Sequence, residues 1–335
     1  VSGTGFDYAS SRYQDGYGAY GSEQSRRRGF QYESKRVEGV ESMQPWTQSQ
    51  AGDQQVAPHE RLFVDHERKI WFAKPDYWIV SDRLLGKGRH LAESLFHFQA
   101  SATCDVEPGD NTIRTANGQA GLTIMPSSTA DLQVRIVSGQ KDPLQGWVPA
   151  GWGHHRPAPV AIYSVEQQLP VAIDTVLFPY PRDQAPSLSV EPLTVEEEGE
   201  HVPPWEASAL CLQIDDQRDY YLVAHERRAL RRGGPLVSDA QAVLVRCNGA
   251  GQPHQLCLLN GSFVELYGRP LVTAEETFRS LELSWTVDSL TVQADHPIGA
   301  NLWAGSARNL IVVGGERHTI TPANEQIVVF EDWLD

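Results

Sequence analysis

HERLFVDHERKIWFAKPDYWIVSDRLLGKGRHLAESLFHF, residues 59–98, decides how the chain is read. From Glu67 onward the hydrophobic pattern takes a period of two, with β-branched and aromatic side chains alternating with charged ones over 69–73, 77–84 and 89–99. Lys74-Pro75-Asp76 predicts the first turn, because proline presets φ and an aspartate can bond the backbone beyond it. Gly86-Lys87-Gly88 predicts the second. The segment therefore reads as a β-meander of antiparallel strands.

The same pattern extends outward through 122–125, 132–137, 160–165 and 171–178. It resumes at 209–214, 220–224, 242–247, 255–259, 263–267, 281–287, 290–294, 309–313 and 326–330, with Asn248-Gly249, Asn260-Gly261 and Gly314-Gly315 read as turns. Short strands at this spacing, with almost no helical periodicity, predict an all-β fold: a large antiparallel β-sandwich, in one body or two lobes. Residues 1–50, rich in Tyr, Gly, Ser, Gln and Arg, read as an extended arm, and 51–335 as the sandwich. A Pro- and Glu-rich connection at 179–204 marks a long surface link or a boundary between lobes.

Composition narrows the function classes. The 335 residues are 40% hydrophobic and 21% charged, which is globular rather than disordered. No apolar run reaches the roughly 18 residues that predict a membrane span. The formal net charge of −15 argues against nucleic acid as a partner, since phosphate binding needs a basic surface. It also opposes broad attraction of acidic polysaccharides, although a local basic patch can still act. Cys104, Cys211, Cys247 and Cys257 form no CxxC pair, so a finger-type zinc site is excluded. Counting back from the Asn248-Gly249 turn puts Cys247 and Cys257 out of register, which favours free thiols. The first residue is Val1 rather than Met, so the chain reads as mature, as cut from something longer, or as a fragment.

Tests for catalytic motifs fail. The His-Glu pairs at 59, 66 and 225 are followed by Phe63, Ile70 and Ala229 where a zinc protease helix needs its second histidine. His90 and His97 lie seven apart on one predicted strand and so on opposite faces. Glu93 and His97 share a face but are separated by roughly 13 Å. No nucleophile elbow, dinucleotide fingerprint or paired-carboxylate signal is present. The segment GWVPAGWGHHRPAPVAIYS, 146–164, is the most suggestive. Its prolines and glycines predict a structured loop carrying Trp147, Trp152, His154, His155 and Arg156. Indoles stack on sugar faces and guanidinium groups pair bidentately with carboxylate or sulfate, which suits an anionic carbohydrate. The alternative is that both tryptophans cap the sandwich core while the histidines face water.

Two segments are similar to heparinase II/III-type polysaccharide lyases. The succession Arg68, Pro75-Asp76-Tyr77, Asp82, Gly86, Gly88, His90 and His97 resembles that family's β-domain. Gly146-Trp147-Val148, Trp152-Gly153, Pro157-Ala158-Pro159-Val160 and Leu169-Pro170 resemble a later segment of it. The resemblance is firm over 57–181, weaker through 335 and poor over 1–50. It implies a β-sandwich that works with an upstream α/α toroid. The reaction implied is β-elimination on a uronate-containing polysaccharide, in a periplasmic or secreted setting. Family members use Tyr and His as base and acid, mostly from the toroid, and some carry a structural zinc. The GHxH-type and His-Asn-Thr segments through which the β-domain contributes are not found here, so no catalytic residue, zinc ligand or cofactor is carried over. Three functions compete: the β-domain of a lyase that lines a cleft, a non-catalytic carbohydrate-binding sandwich, and a purely structural domain.

Overall fold

The structure is a computed structural model that describes residues 1–13, 64–107, 111–127, 131–295 and 299–305, together with the backbone of 310–313, 316–319 and 326–329. Every regular element among the described residues is a β-strand, so the all-β reading holds. The largest sheets have seven and fifteen strands. The seven-stranded sheet runs in the order Phe6–Tyr13, Val64–Ala73, Tyr77–Gly86, Val171–Pro181, Ala120–Ser127, Ile113–Asn117 and Thr103–Val106.

The segment that opened the reading is only partly a meander. Val64–Ala73 and Tyr77–Gly86 are neighbours in that sheet, but Arg89–His97 belongs to a separate three-stranded sheet. There it pairs antiparallel with Val160–Gln168, from His97↔Val160 to Arg89↔Gln168. Gly88, at φ 87°, lets the chain leave one sheet for the other. Alternation alone could not register this, because it predicts strands and not their partners.

Residues 1–50 read as an arm, yet Phe6–Tyr13 is a strand. Phe6 is fully buried and stacks on Trp71 at 4.5 Å, while Tyr8 meets the same indole edge-on at 6.1 Å. The remainder of the expected arm, from residue 14, lies outside the described residues. Within 179–204, Leu188–Leu193 pairs with Ala207–Ile214, and Val195–Glu197 pairs with both Glu200–Val202 and Arg231–Gly233. The acidic run is thus largely sheet, with Val195 and Val202 buried in a core and Glu196 and Glu200 exposed.

The chain divides into two compact units, one of Val1–Tyr8, Trp71–Ile79 and Phe178–Asp335, the other of Ala9–Ile70 and Val80–Leu177. In the second unit the three-stranded sheet packs on the larger one. Ala161 and Tyr163 meet Ile113 and Ile124, and Val165 meets Val171 and Ile173. Tyr163 donates its hydroxyl towards the carbonyls of Asn111 (3.0 Å) and Ile124 (3.3 Å), which removes the cost of burying it. On the hairpin, the Asp82 carboxylate is buried. It takes both forks of Arg68 (2.7 and 2.8 Å) and His66 Nε2 (2.6 Å). Burial pushes its pKa up, but the bonds from His66 and Arg68 win and leave it below the ordinary carboxylate value.

In the first unit the fifteen-stranded sheet curls around one core. Leu222, Val243, Leu258 and Leu281 from successive strands meet Leu236, Val264, Val272 and Leu302. Pro253–Leu266 is one strand, although Asn260-Gly261 reads as a turn. Gly261 serves close packing instead: a Cβ there would stand 2.8 Å from both Cα and Cβ of Ala240. The register slips between Gly261 and Phe263, and Asp239 caps the bulge by accepting from the Ser262 and Phe263 amides at 2.8 and 2.9 Å.

The Pro-Asp-Tyr turn packs on the other side of this sheet. Asp76 accepts from Arg246 at 2.6 Å rather than from the backbone beyond it, and the fully buried Tyr77 hydroxyl donates to Asp219 at 2.6 Å. Arg246 also donates to Asp219 at 3.0 Å. Burial raises the Asp219 pKa against the pull of Arg246, and it raises that of the Tyr77 phenol as well. The first residues of the chain are held by Glu282, whose carboxylate accepts from the Thr4 amide (3.0 Å), the Thr4 hydroxyl (2.8 Å) and the Gly5 amide (2.6 Å). All four cysteines are free, and Cys257 lies opposite Leu244 rather than Cys247.

Candidate functional site

The Trp/His/Arg segment forms a pair of short hairpins that share a braced base. Gln140–Lys141 pairs with Leu144–Gln145, and Trp147–Pro149 pairs with His155–Pro157. Gly146 joins them: its carbonyl accepts from the amides of Gly139 (2.8 Å) and Ala158 (2.9 Å). A side chain at Gly146 would put Cβ 2.8 Å from Ser138 Cα and 2.9 Å from the Val137 carbonyl, and its φ is +78°, so only glycine fits.

Trp147 belongs to this base. It is half-buried, and its indole N–H donates to the Gln140 carbonyl at 2.8 Å. That bond ties the second hairpin to the first and spends the donor a ligand would use. Trp152 is the opposite case. It sits at the tip between Gly151 and Gly153, and it is 100% exposed. Leaving an indole in water forgoes about 4–6 kcal/mol of burial, from roughly 150–250 Å² of surface. Trp152 therefore does not cap the core.

His154, His155 and Arg156 are all exposed. The ladder pairs Trp147 with Pro157, Pro149 with His155, and Val148 with Arg156. Directly opposed residues share a face and successive residues alternate, so His155 lies on the Trp147 face and Arg156 on the other. The five residues do not converge on one surface. Arg156 forms no ion pair among the described residues and leaves its charge open to an anion.

Other candidates are occupied or dispersed. His90 is half-buried and shares a 3.0 Å hydrogen bond with the Lys87 carbonyl, while His97 is exposed and opposite Val160. Among the described residues no three His, Cys, Asp or Glu side chains converge as a metal site would need. A shallow cleft of about 410 Å³ in the first unit is lined by Thr4, Gly5, Phe72, Lys74, Pro75 and Gln255. Its one cation, Lys74, is committed to Asp7 (2.7 Å) and the Gly3 carbonyl (2.8 Å). No helix of the described residues is long and apolar enough to cross a membrane.

Comparison with known proteins places these features. A family model described as heparinase II/III-like, C-terminal matches residues 15–189, just over half of the chain and including both hairpins. Among solved structures, the chain is similar to heparan sulfate lyase HepC from Pedobacter heparinus. The identity is 17% over 49% of this chain and 24% of that one, with a TM-score of 0.41. It is also similar to a heparinase III gene product, at 11% identity over 51% of this chain and 23% of that one, with a TM-score of 0.38. The chain thus spans about a quarter of the length of those solved lyases. A comparison with curated proteins finds no match.

Proposed function

We propose, from the premise that the chain belongs to the heparinase II/III-like C-terminal family, that it is the β-sandwich portion of a polysaccharide lyase, periplasmic or secreted, acting on uronate-containing polysaccharide. It supports and lines a cleft completed by an α/α toroid. In β-elimination a base removes the proton α to the uronate carboxylate. The C4–O bond then breaks with its electron pair on the departing sugar oxygen, which takes up a proton. This chain's part is binding. Trp152 stacks on a pyranose face, while Arg156, His154 and His155 offer donors along the two faces of the hairpin. Trp147 keeps the hairpin upright.

The observation that carries the reading is the fully exposed Trp152 on a braced hairpin, inside the segment that the family model matches. A steady-state assay of the full-length gene product, read by the ultraviolet absorbance of the unsaturated uronate product, tests it. Trp152→Ala is expected to raise KM about tenfold with kcat little changed, the signature of lost binding common to ground and transition states. An unchanged KM on every uronate polymer that the enzyme cleaves would refute the role of the hairpin. The net charge of −15 favours a second reading, a structural domain that never touches sugar, and that same unchanged KM would select it.

A further inference from the structure

One hairpin of the first unit turns on an unexpected residue. Strands Pro253–Leu266 and Arg269–Trp285 are joined by Tyr267-Gly268, closed by the Leu266↔Arg269 pair. Both turn residues have positive φ, +52° and +75°, as in a type I′ turn. Asn and Asp dominate the first position of such turns, because an ordinary side chain is strained there. The other described non-glycine residues at positive φ are Asn, Asp and Glu, so Tyr267 is the aromatic exception. Residues held in strained backbone cluster at sites where the strain serves a function.

The strain displays a ring. Tyr267 is 61% exposed, and its amide donates to the Pro235 carbonyl at 3.0 Å, which fixes the turn. Its ring stands edge-to-face on the buried Tyr220 (5.8 Å, 87°), and the two hydroxyls share a short hydrogen bond. Arg218 lies on the same surface. Its Nε donates to Gln213 at 3.0 Å, and its guanidinium reaches both tyrosine hydroxyls. Arg218 is exposed and makes no ion pair among the described residues. Arg269, also exposed, stacks over Trp303 at 5.0 Å beside the turn. Cys211 lies within hydrogen-bonding reach of Tyr220, and burial keeps its thiol protonated, so it adds no opposing charge. Either hydroxyl can donate in the bond between Tyr220 and Tyr267.

We propose that Tyr267 and Arg218 form a second contact site for an acidic sugar residue, with the Tyr267 ring on the pyranose face and the guanidinium on its carboxylate or sulfate. This inference rests on the reading that the chain meets a uronate polymer. It adds a site remote in sequence from the Trp152 hairpin, outside the family-matched segment.

The test is calorimetric titration of the full chain with a hexamer of 1,4-linked uronate, its sulfated counterpart, and neutral cellohexaose as a control. In a Trp152→Ala background, binding of an acidic hexamer is expected to persist. The hexamer with the larger heat names carboxylate or sulfate as the anchor. Adding Tyr267→Asn or Arg218→Gln is expected to weaken it about tenfold or more. Tyr267→Asn is also expected to hold or raise Tm by a few degrees, because Asn suits the turn. A structural role for Tyr267 would instead lower Tm and leave affinity unchanged, and that result overturns the proposal. If the wild type binds but the Trp152→Ala chain does not, this inference falls and the hairpin reading stands. If the wild type gives no heat with either acidic hexamer, the reading beneath it falls too.

Discussion

Asp82 shows how a single buried carboxylate sets a pH limit. Its folded pKa lies below the ordinary value of 3.8 because His66 and Arg68 bond its charged form. A depressed carboxylate adds stability that is fully present above the unfolded pKa and is lost as pH falls through the folded one. The window therefore opens near pH 4 and extends below it. Asp82→Asn is expected to cost about 1–3 kcal/mol at pH 7, measured by urea denaturation, because Arg68 and His66 lose a charged acceptor. The cost should shrink below pH 4, and a constant difference across that range would show that Asp82 is not the titrating group. At this scale the sequence was half legible. The spacing of Arg68 and Asp82 across the predicted turn places them side by side on a hairpin. The partner of Asp76 was not legible, because Arg246 arrives from 170 residues further on, and no local pattern encodes such a distance.

The hairpins were readable as a special segment and misread as a loop. Prolines and glycines announced broken backbone, but three residues on each side still form a ladder. What separates Trp147 from Trp152 is burial and one indole hydrogen bond, and sequence treats the two alike. Trp147→Phe keeps an aromatic ring, smaller than the indole, and removes the bond to Gln140. It is expected to cost about 1 kcal/mol in stability and to loosen the second hairpin, read as faster amide exchange at Val148 and Arg156. Protection equal to the wild type would show that the base stands without that bond. The Asn260-Gly261 misreading has the same origin. Glycine marks either a turn or a close approach, and only the tertiary position of Ala240 tells which.

For the whole molecule, the alternating pattern secured the fold class, because alternation reports a buried face however the strands pair. It could not assign strands to sheets, since parity fixes which face a side chain takes and leaves its neighbour open. Charge is the other global property. With −15 overall, the chain repels an acidic polymer at long range, and on the proposed reading exposed cations such as Arg156 and Arg218 attract it only on contact. Screening acts over about 10 Å at 0.1 M salt, so it removes the repulsion before it weakens the contacts. Stopped-flow association with an acidic oligosaccharide is expected to accelerate about two- to fivefold between 10 and 100 mM salt. A basic binding surface would slow instead, and that outcome would mean a local field outweighs the total charge.

The Glu282 carboxylate gives the chain a schedule as well as a bond. Residues 4 and 5 are held by a side chain some 278 positions later. At about 5–20 residues per second, synthesis leaves the opening segment without that anchor for roughly 15–60 s. Phe6 and Tyr8 can meet Trp71 long before then, so the first strand gains its aromatic partner early and its carboxylate clasp last. Thr4 and Gly5 gain their last partner only once residue 282 has been made.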